Sequence, residues 1–185
     1  MNNKVYLVHH MKKTDPTILN IVSFYTDGSS RPDRSGWGWY CPELHTCNSE
    51  EVDGGTNNQC ELMALIDCLE FILQLVDDIK KYKIFIYTDS EYTRNSYVSW
   101  IDSWKKNGWK KSDGKPVLNV DLMKNIYRLK QEIKKHKINI VVNHVPSHKG
   151  IETIEQYYND IADKLANGFY NEKSKISREK SKIAH

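Results

Sequence analysis

Residues 21–29 read IVSFYTDGS, and this stretch, together with a near copy of its ending, determines the predicted fold. β-Branched and aromatic residues fill Ile21–Thr26, which favours a β-strand, and we expect the Gly28-Ser29-Ser30 run to end it. The near copy is KIFIYTDS at 83–90, where Lys83–Thr88 is apolar enough to predict a strand buried on both faces. An aspartate therefore follows directly after each predicted strand.

Strand and helix patterns continue along the rest of the chain. Further strands are predicted at Gly36–Tyr40, more weakly at His45–Val52, and at Ile138–Val145. Helices are predicted after the Gly54-Gly55 break, from about Glu91, and at two later amphipathic patterns. The apolar helix positions are Leu62, Leu65, Ile66, Leu69, Ile72, Leu73 and Val76, then Leu122, Ile126, Leu129 and Ile133, then Tyr158, Ala162, Leu165 and Phe169. Three strands followed by alternating helices and strands predict an α/β fold with helices on a mixed sheet.

Length and composition limit what the chain can be. With 185 residues, 39% hydrophobic and 28% charged, it fits one globular domain with tails. We divide it into an N-terminal arm at 1–20, a domain at 21–170 and a basic tail at 171–185. The four cysteines form no CxxC pair, which favours free thiols and an intracellular location, cytoplasmic or nuclear. No apolar run approaches the ~18 residues of a transmembrane helix, so no membrane partner is expected.

Four carboxylates are the main candidates for chemistry. Taken alone, Asp27 and Asp89 are typical turn or cap residues, because each precedes Gly or Ser. On adjacent strands the two would lie within a few ångströms, where like charges require a cation such as Mg²⁺. Glu61 could merely support a helix dipole and Asp163 could merely face solvent, so both interpretations stay open for these two.

A basic segment and two histidines complete the set of candidates. Trp100–Lys115 interleaves five lysines and two aspartates with three tryptophans, which suits a phosphate backbone with its sugars and bases. The alternative is a solvated helix with core tryptophans. His144 lies in a strand pattern and is expected to be structural. His148 lies in a Pro/Ser/Gly loop, from which it could pass a proton to a departing oxygen.

Together these motifs resemble the type 1 ribonuclease H family over about Ser23–Gly168. The similar segments occur in family order and are YTDGS (Tyr25–Ser29), TNNQCELMALI (Thr56–Ile66), YTDS (Tyr87–Ser90), WKKNGWK (Trp104–Lys110), HVPSHKG (His144–Gly150) and NDIADKLA (Asn159–Ala166). The resemblance implies a ribonuclease H-like fold, with a five-stranded mixed sheet flanked by helices. It also implies an endoribonuclease that hydrolyses the RNA strand of RNA/DNA hybrids and leaves 3′-hydroxyl and 5′-phosphate ends.

Functional residues follow from the resemblance by position. Asp27, Glu61, Asp89 and Asp163 match the family's metal-binding carboxylates, and His148 matches the loop histidine that assists turnover. The implied cofactor is Mg²⁺, two ions in the substrate complex, with Mn²⁺ as an alternative, which agrees with two-ion phosphodiester chemistry. The resemblance also implies a set of substrate-binding residues, which are Thr56, Asn57, Asn58, Gln59, Ser90, Tyr92, Trp100, Trp104, Lys105, Lys106, Lys110, Lys111 and Asn119. The four lysines of this set belong to a basic handle near 100–115.

The chain departs from the family pattern in places, and other functions are compatible with part of its motifs. Ser30–Gly36 is shorter than the usual loop, whose minor-groove asparagine has no equivalent here, and Gly54 replaces a phosphate-binding arginine of some members. Alternatives are a catalytically silent hybrid-binding module, a junction resolvase or transposase, and a domain of a reverse-transcriptase polyprotein. The complete carboxylate set disfavours a silent binding module, and the handle and the HVPSHKG loop disfavour a resolvase or transposase. Met1 favours a free-standing enzyme over a polyprotein domain, and we expect this enzyme to be monomeric.

Overall fold

Five strands form one mixed sheet in the computed structural model, which describes residues 20–146 and 152–168. The predicted arm up to residue 19, the predicted tail and Phe169 lie outside these ranges. The strands, in the spatial order β3-β2-β1-β4-β5, are β1 (Ile21–Arg31), β2 (Arg34–Cys41), β3 (Thr46–Val52), β4 (Lys83–Thr88) and β5 (Asn139–His144). β2 pairs antiparallel with β1 and β3, whereas β4 pairs parallel with β1 and β5, which confirms the predicted mixed sheet.

Helices cover both faces of this sheet. They are α1 (Asn57–Gln74), α2 (Val76–Ile79), α3 (Glu91–Asn95), α4 (Ile101–Lys106), α5 (Val120–Lys135) and α6 (Ile154–Ala166), and a π-helical turn at Ser96–Trp100 joins α3 to α4. α1 packs against β1, β2 and α5, and α6 packs mainly against β1 and β2. Within the described ranges, the helices are too short or too polar to cross a membrane.

Consecutive residues of β1 point to opposite faces of the sheet and contact α1 and α6. The ring of Phe24 lies 5.7 Å from that of Trp39 of β2 and 6.1 Å from that of Phe71 of α1, and the Trp39 and Phe71 rings are 4.8 Å apart. The next residue, Tyr25, points to the opposite face and contacts Tyr158 of α6 at 5.2 Å. The central strand thus holds α1 on one side and α6 on the other.

β1 is longer than the sequence predicted. The expectation that Gly28-Ser29-Ser30 ends this strand is wrong, because pairing with β2 continues through Gly28↔Trp37 to Arg31↔Arg34. Gly28 serves close packing here and does not make a turn, since a Cβ at this position would lie 2.1 Å from the backbone nitrogen of Glu61. Asp27 consequently lies inside a strand.

Two smaller expectations also differ from the structure. β4 is not buried on both faces, because Phe85 and Tyr87 are half-buried on the face where α6 covers mainly β1 and β2. The first helix was expected to run to Val76, but α1 ends at Gln74. Leu75 leaves the helical conformation there, with φ −100° and ψ 18°.

Candidate active site

Three carboxylates from three different elements meet near the carboxyl end of β4. Asp27 lies in β1, Asp89 directly follows β4, and Glu61 lies near the start of α1. Thr26 pairs with Thr88 in the parallel β1–β4 ladder, so the two aspartates follow side by side. One oxygen from each of the three carboxylates lies within 4.8 Å of the other two. β1 and β4 are therefore adjacent, which is the arrangement in which the sequence analysis expected the two aspartates to lie close together.

The start of α1 determines where Glu61 lies. Thr56 caps the helix, because its hydroxyl oxygen accepts the N–H of Gln59 at 3.3 Å. The side chain of Gln59 accepts the N–H of Thr56 at 2.8 Å and completes a capping box. The missing side chain of Gly28 then lets this first turn pack directly on β1. Glu61 is held beside Asp27 as a result and is only 3% exposed.

Burial and mutual repulsion make this cluster unfavourable for free carboxylates. Burial, followed by the charges of Asp89 and Asp163, raises the pKa of Asp27 well above its usual 3.8. Burial, followed by the charges of Asp27 and Asp89, raises the pKa of Glu61 well above 4.5. Glu61 Oε2 is buried and has no hydrogen-bond partner among the described residues. Carboxylate oxygens from three elements at this spacing, with one buried oxygen of Glu61 lacking a hydrogen-bond partner among the described residues, fit a hard divalent cation, which prefers oxygen ligands.

Asp163 of α6 lies at the margin of the cluster. It is not one of the three carboxylates within 4.8 Å, but its charge contributes to the raised pKa of Asp27. Asn167 Nδ2 donates to Asp163 Oδ1 at 2.8 Å, and Ser29 Oγ donates to Asn167 Oδ1 at 2.8 Å. Asn167 therefore links Asp163 to β1. The sequence reasoning missed this residue, although its i, i+4 spacing from Asp163 was a usable signal.

His144 supports the backbone that carries Asp89. Its Nε2 lies 3.1 Å from the carbonyl oxygen of Asp89 and donates to it when that nitrogen is protonated. This contact agrees with a structural role, but it arises only because Thr88 pairs with His144 across β4 and β5. His148, the predicted proton donor, lies outside the described residues.

The aromatic and basic residues expected to bind nucleic acid lie along α3, the π turn and α4. The ring centroids of Tyr92 and Trp100 are 6.1 Å apart, and those of Trp100 and Trp104 are 5.4 Å apart. Trp100 is 37% exposed, so the alternative of buried core tryptophans does not hold for it. Exposed or half-buried lysines follow at and after the end of α4, namely Lys105, Lys106, Lys110 and Lys111.

The remaining substrate-binding candidates lie at helix starts. Asn57 Oδ1 accepts a backbone N–H at the end of β1 at 3.2 Å, and Asn58 beside it is exposed. Ser90 caps α3 with its hydroxyl oxygen. Asn119 precedes α5 with a left-handed φ of 55°, and its Nδ2 lies 3.4 Å from the hydroxyl of Tyr92. This last contact brings the start of α5 to the aromatic residues of α3.

Comparisons with known proteins match most of the chain. The RNase H family profile matches residues 20–170. A ribonuclease H of Bradyrhizobium sp. (strain ORS 278) is 42% identical in a 128-residue alignment that covers 65% of this chain and 75% of that protein. A ribonuclease H of Hahella chejuensis (strain KCTC 2396) is 36% identical in a 153-residue alignment that covers 80% of this chain and 93% of that protein. The solution structure of the PFV RNase H domain superposes with a TM-score of 0.64 at 25% identity, covering 80% of this chain and 93% of that domain.

Proposed function

The chain belongs to the RNase H family and hydrolyses the RNA strand of RNA/DNA hybrids, and we propose that two divalent ions, held by its carboxylate cluster, support this reaction. The ligands in this proposal are Asp27, Glu61, Asp89 and Asp163. Mg²⁺ is the proposed ion, with Mn²⁺ as the alternative, because both prefer carboxylate and water oxygens.

One observation carries the proposal of the metal site. Asp27, Glu61 and Asp89 come from separate elements, yet their oxygens converge within 4.8 Å, and two of the three are almost fully buried. A folded protein gains nothing from such repulsion unless a cation neutralises it. The buried Oε2 of Glu61, which has no hydrogen-bond partner among the described residues, is available as a ligand atom.

The roles of the chain's own residues follow from this arrangement. When bound, divalent ions supply the charge that favours attack of water on phosphorus and stabilises the departing 3′ oxygen. Asp27, Glu61 and Asp89 orient that charge, and Asn167 holds Asp163 towards it. The P–O3′ bond breaks, which leaves a 3′-hydroxyl and a 5′-phosphate. His148 is proposed to pass a proton to the 3′ oxygen, and none of these residues needs to act as a nucleophile.

The handle and the helix starts are the proposed contacts with the hybrid. Trp100–Lys115 carries a net charge of +3, which suits attraction to phosphates. Tyr92, Trp100 and Trp104 offer ring faces to one strand. Asn57 and Asn58 are proposed to reach the minor groove, where the 2′-hydroxyl distinguishes RNA from DNA. We further propose a monomer that acts inside the cell, where its four free thiols are expected to stay reduced.

The direct test is cleavage of labelled RNA/DNA, RNA/RNA and DNA/DNA duplexes of one sequence, with and without Mg²⁺. We expect cleavage of the RNA strand of the hybrid alone, and only with the metal. Asp89→Asn should abolish cleavage and leave hybrid binding largely intact, because the substitution removes one ligand charge and keeps the side chain's shape. The matched control is Asp77→Asn, which makes the same change at a side chain 89% exposed on α2.

The outcomes separate the alternatives. Normal turnover by Asp89→Asn in Mg²⁺ would refute the proposed metal site. Hybrid binding by the wild-type chain without any cleavage would identify a catalytically silent binding module instead. Cleavage of DNA/DNA duplexes or junctions in preference to the hybrid would point to a resolvase-like activity.

A further inference from the structure

A buried lysine on α5 has no role in the proposed metal site. Lys130 is 8% exposed, and lysines are almost never buried unless they are paired. Its Nζ donates to the carbonyl oxygen of Tyr97 at 2.6 Å and to Asp102 Oδ2 at 2.8 Å. The same nitrogen lies 5.0 Å from the centroid of the Tyr97 ring. All three interactions join α5 to the six-residue segment Tyr97–Asp102.

That segment overlaps the π turn at Ser96–Trp100, which lies within a continuous helix. α3, the π turn and α4 follow one another without interruption from Glu91 to Lys106, and the N–H of Ile101 donates to the carbonyl of Ser96, five residues earlier. A π turn accommodates one residue more than an α-helical turn, and such turns occur frequently at functional sites. Ser96 and Ile101 are both fully buried, although five residues span about 140° in a regular α-helix. The extra residue therefore keeps both side chains on the buried face.

The same extra residue aligns three aromatic side chains, of which Trp100 is exposed and Tyr92 and Trp104 are half-buried. In a regular α-helix with ~100° per residue, Trp100 and Trp104 would lie about 80° and 120° around the axis from Tyr92. With one residue absorbed by the π turn, both come within about 20° of Tyr92. The observed ring-centroid distances of 6.1 and 5.4 Å agree with a single row.

We infer that Lys130 is a positioning residue that holds the π turn and thereby keeps Tyr92, Trp100 and Trp104 in one row facing the nucleic acid. This inference rests on the proposed function, in which these rings stack on one strand of the hybrid. The Lys130 ammonium group donates to a carbonyl inside the π turn and to the Asp102 carboxylate, two residues after the turn, so it holds both the turn and the start of α4. Buried ion pairs add little net stability, but they can select one arrangement among several.

The hydrogen bond from Lys130 is the largest cause that lowers the pKa of Asp102. The carboxylate therefore stays charged at neutral pH, and the pair stays intact. The Asp102 side chain is 41% exposed, so water can solvate it if the lysine is removed. A lysine substitution should for this reason be tolerated by the fold.

The first test replaces Lys130 with Met, which keeps the unbranched apolar stem and removes the charge and all donors. Steady-state cleavage of a labelled hybrid should show KM raised about tenfold and kcat within twofold of the wild-type value, because misaligned rings lose stacking and the carboxylates lie on other elements. The exciton couplet of the Trp100–Trp104 pair in far-ultraviolet circular dichroism should weaken in the same variant. Lys135→Met is the matched control, because it removes an exposed lysine from the same helix.

The second test is a rescue that a merely structural lysine would not show. Deleting Ser99, an exposed residue of the π turn, lets the segment form a regular α-helix in which Tyr92 and both tryptophans again lie within about 20°. The double variant, Lys130→Met with Ser99 deleted, should recover KM to within about threefold of wild type. Unchanged KM in Lys130→Met, or a raised KM that the deletion leaves raised, would overturn the inference.

A third variant covers the case in which Lys130→Met does not fold. In Asp102→Asn, Lys130 keeps its hydrogen bond to the Tyr97 carbonyl but loses its ion pair. KM should therefore rise about threefold with kcat unchanged, and an unchanged KM would refute the inference. Direct binding of the hybrid is measured alongside cleavage. A wild-type chain that binds hybrid but fails to cut it contradicts the proposed function alone, while its affinity still tests the role of Lys130.

Discussion

Replacing Gly28 with Ala should disable the site by moving one of its ligands. A Cβ at this position would lie 2.1 Å from the backbone nitrogen of Glu61 and 2.3 Å from the carbonyl carbon of Cys60. Ordinary contact begins near 3.4 Å, so the start of α1 must retreat by about 1.3 Å. The obstructing atoms are backbone, so no side-chain rotation can relieve the clash. The displacement therefore carries Glu61 away from Asp27 and Asp89.

The expected effects are large on activity and moderate on stability. A misplacement of about 1 Å in a catalytic arrangement can lower the rate about a hundredfold, and we expect a loss of that size in kcat. Overpacking against backbone should cost about 3 kcal/mol of unfolding free energy. For a chain of this length, that lowers Tm by roughly 6–12 °C.

The assay combines thermal unfolding with single-turnover cleavage of a labelled hybrid at saturating Mg²⁺, well below the Tm of the variant. Gly114→Ala is the control, because it strains a positive φ of 80° in the handle loop but meets no atom within 4 Å. It should lower Tm slightly and leave the cleavage rate at saturating enzyme unchanged, because the handle is proposed to affect hybrid binding and not the chemical step. A folded Gly28→Ala variant that cleaves at the wild-type rate would refute the link between this close approach and the position of Glu61.

Three more predictions concern charge. The pKa values of Asp27 and Glu61 are raised in the folded state, so the unfolded chain releases these protons first and the metal-free protein loses stability as the pH rises from about 4 through the raised values. Asp27→Asn removes one of these buried charges and should raise the Tm of the metal-free protein at neutral pH. Calorimetry across a pH range measures this difference. Mg²⁺ at about a hundred times its Kd should raise the unfolding free energy of the wild-type chain by about 2.7 kcal/mol, and that of Asp27→Asn by much less. Equal stabilisation of the two proteins would contradict the role of Asp27 as a metal ligand. The last prediction concerns a variant in which Ala replaces all four of Lys105, Lys106, Lys110 and Lys111. The slope of log affinity for the hybrid against log salt concentration should become less steep by up to about four, as measured from affinities at several salt concentrations.

Local motifs made much of the fold and the acidic cluster predictable. Asp27 and Asp89 each follow a run of strand-forming residues in the sequence, so the two carboxylates were expected to lie close together if those strands were adjacent. The helical periodicity after Gly54-Gly55 likewise indicated the helix that carries Glu61. These signals are short-range, because residue type and period decide local conformation directly.

Predictions failed where a distant part of the chain overrides a local preference. Gly28 is typical of a turn, yet β1 passes straight through it because α1 packs against its Cα. The π turn at Ser96–Trp100 has no signature in residue type, since the cation that binds it comes from Lys130 on another helix. Periodicity counts residues along one segment and cannot include such a partner.

The sequence by itself determined the α/β class, the separate strands and helices, and which carboxylates and aromatic residues were candidates for function. Tertiary structure alone decided that the oxygens of Asp27, Glu61 and Asp89 converge within 4.8 Å, and that Tyr92 forms one row with the tryptophans after it. The physical reason is that repulsion among buried charges, close backbone packing and the pairing of a buried lysine are properties of groups far apart in the chain, and they arise only when folding brings those groups into contact.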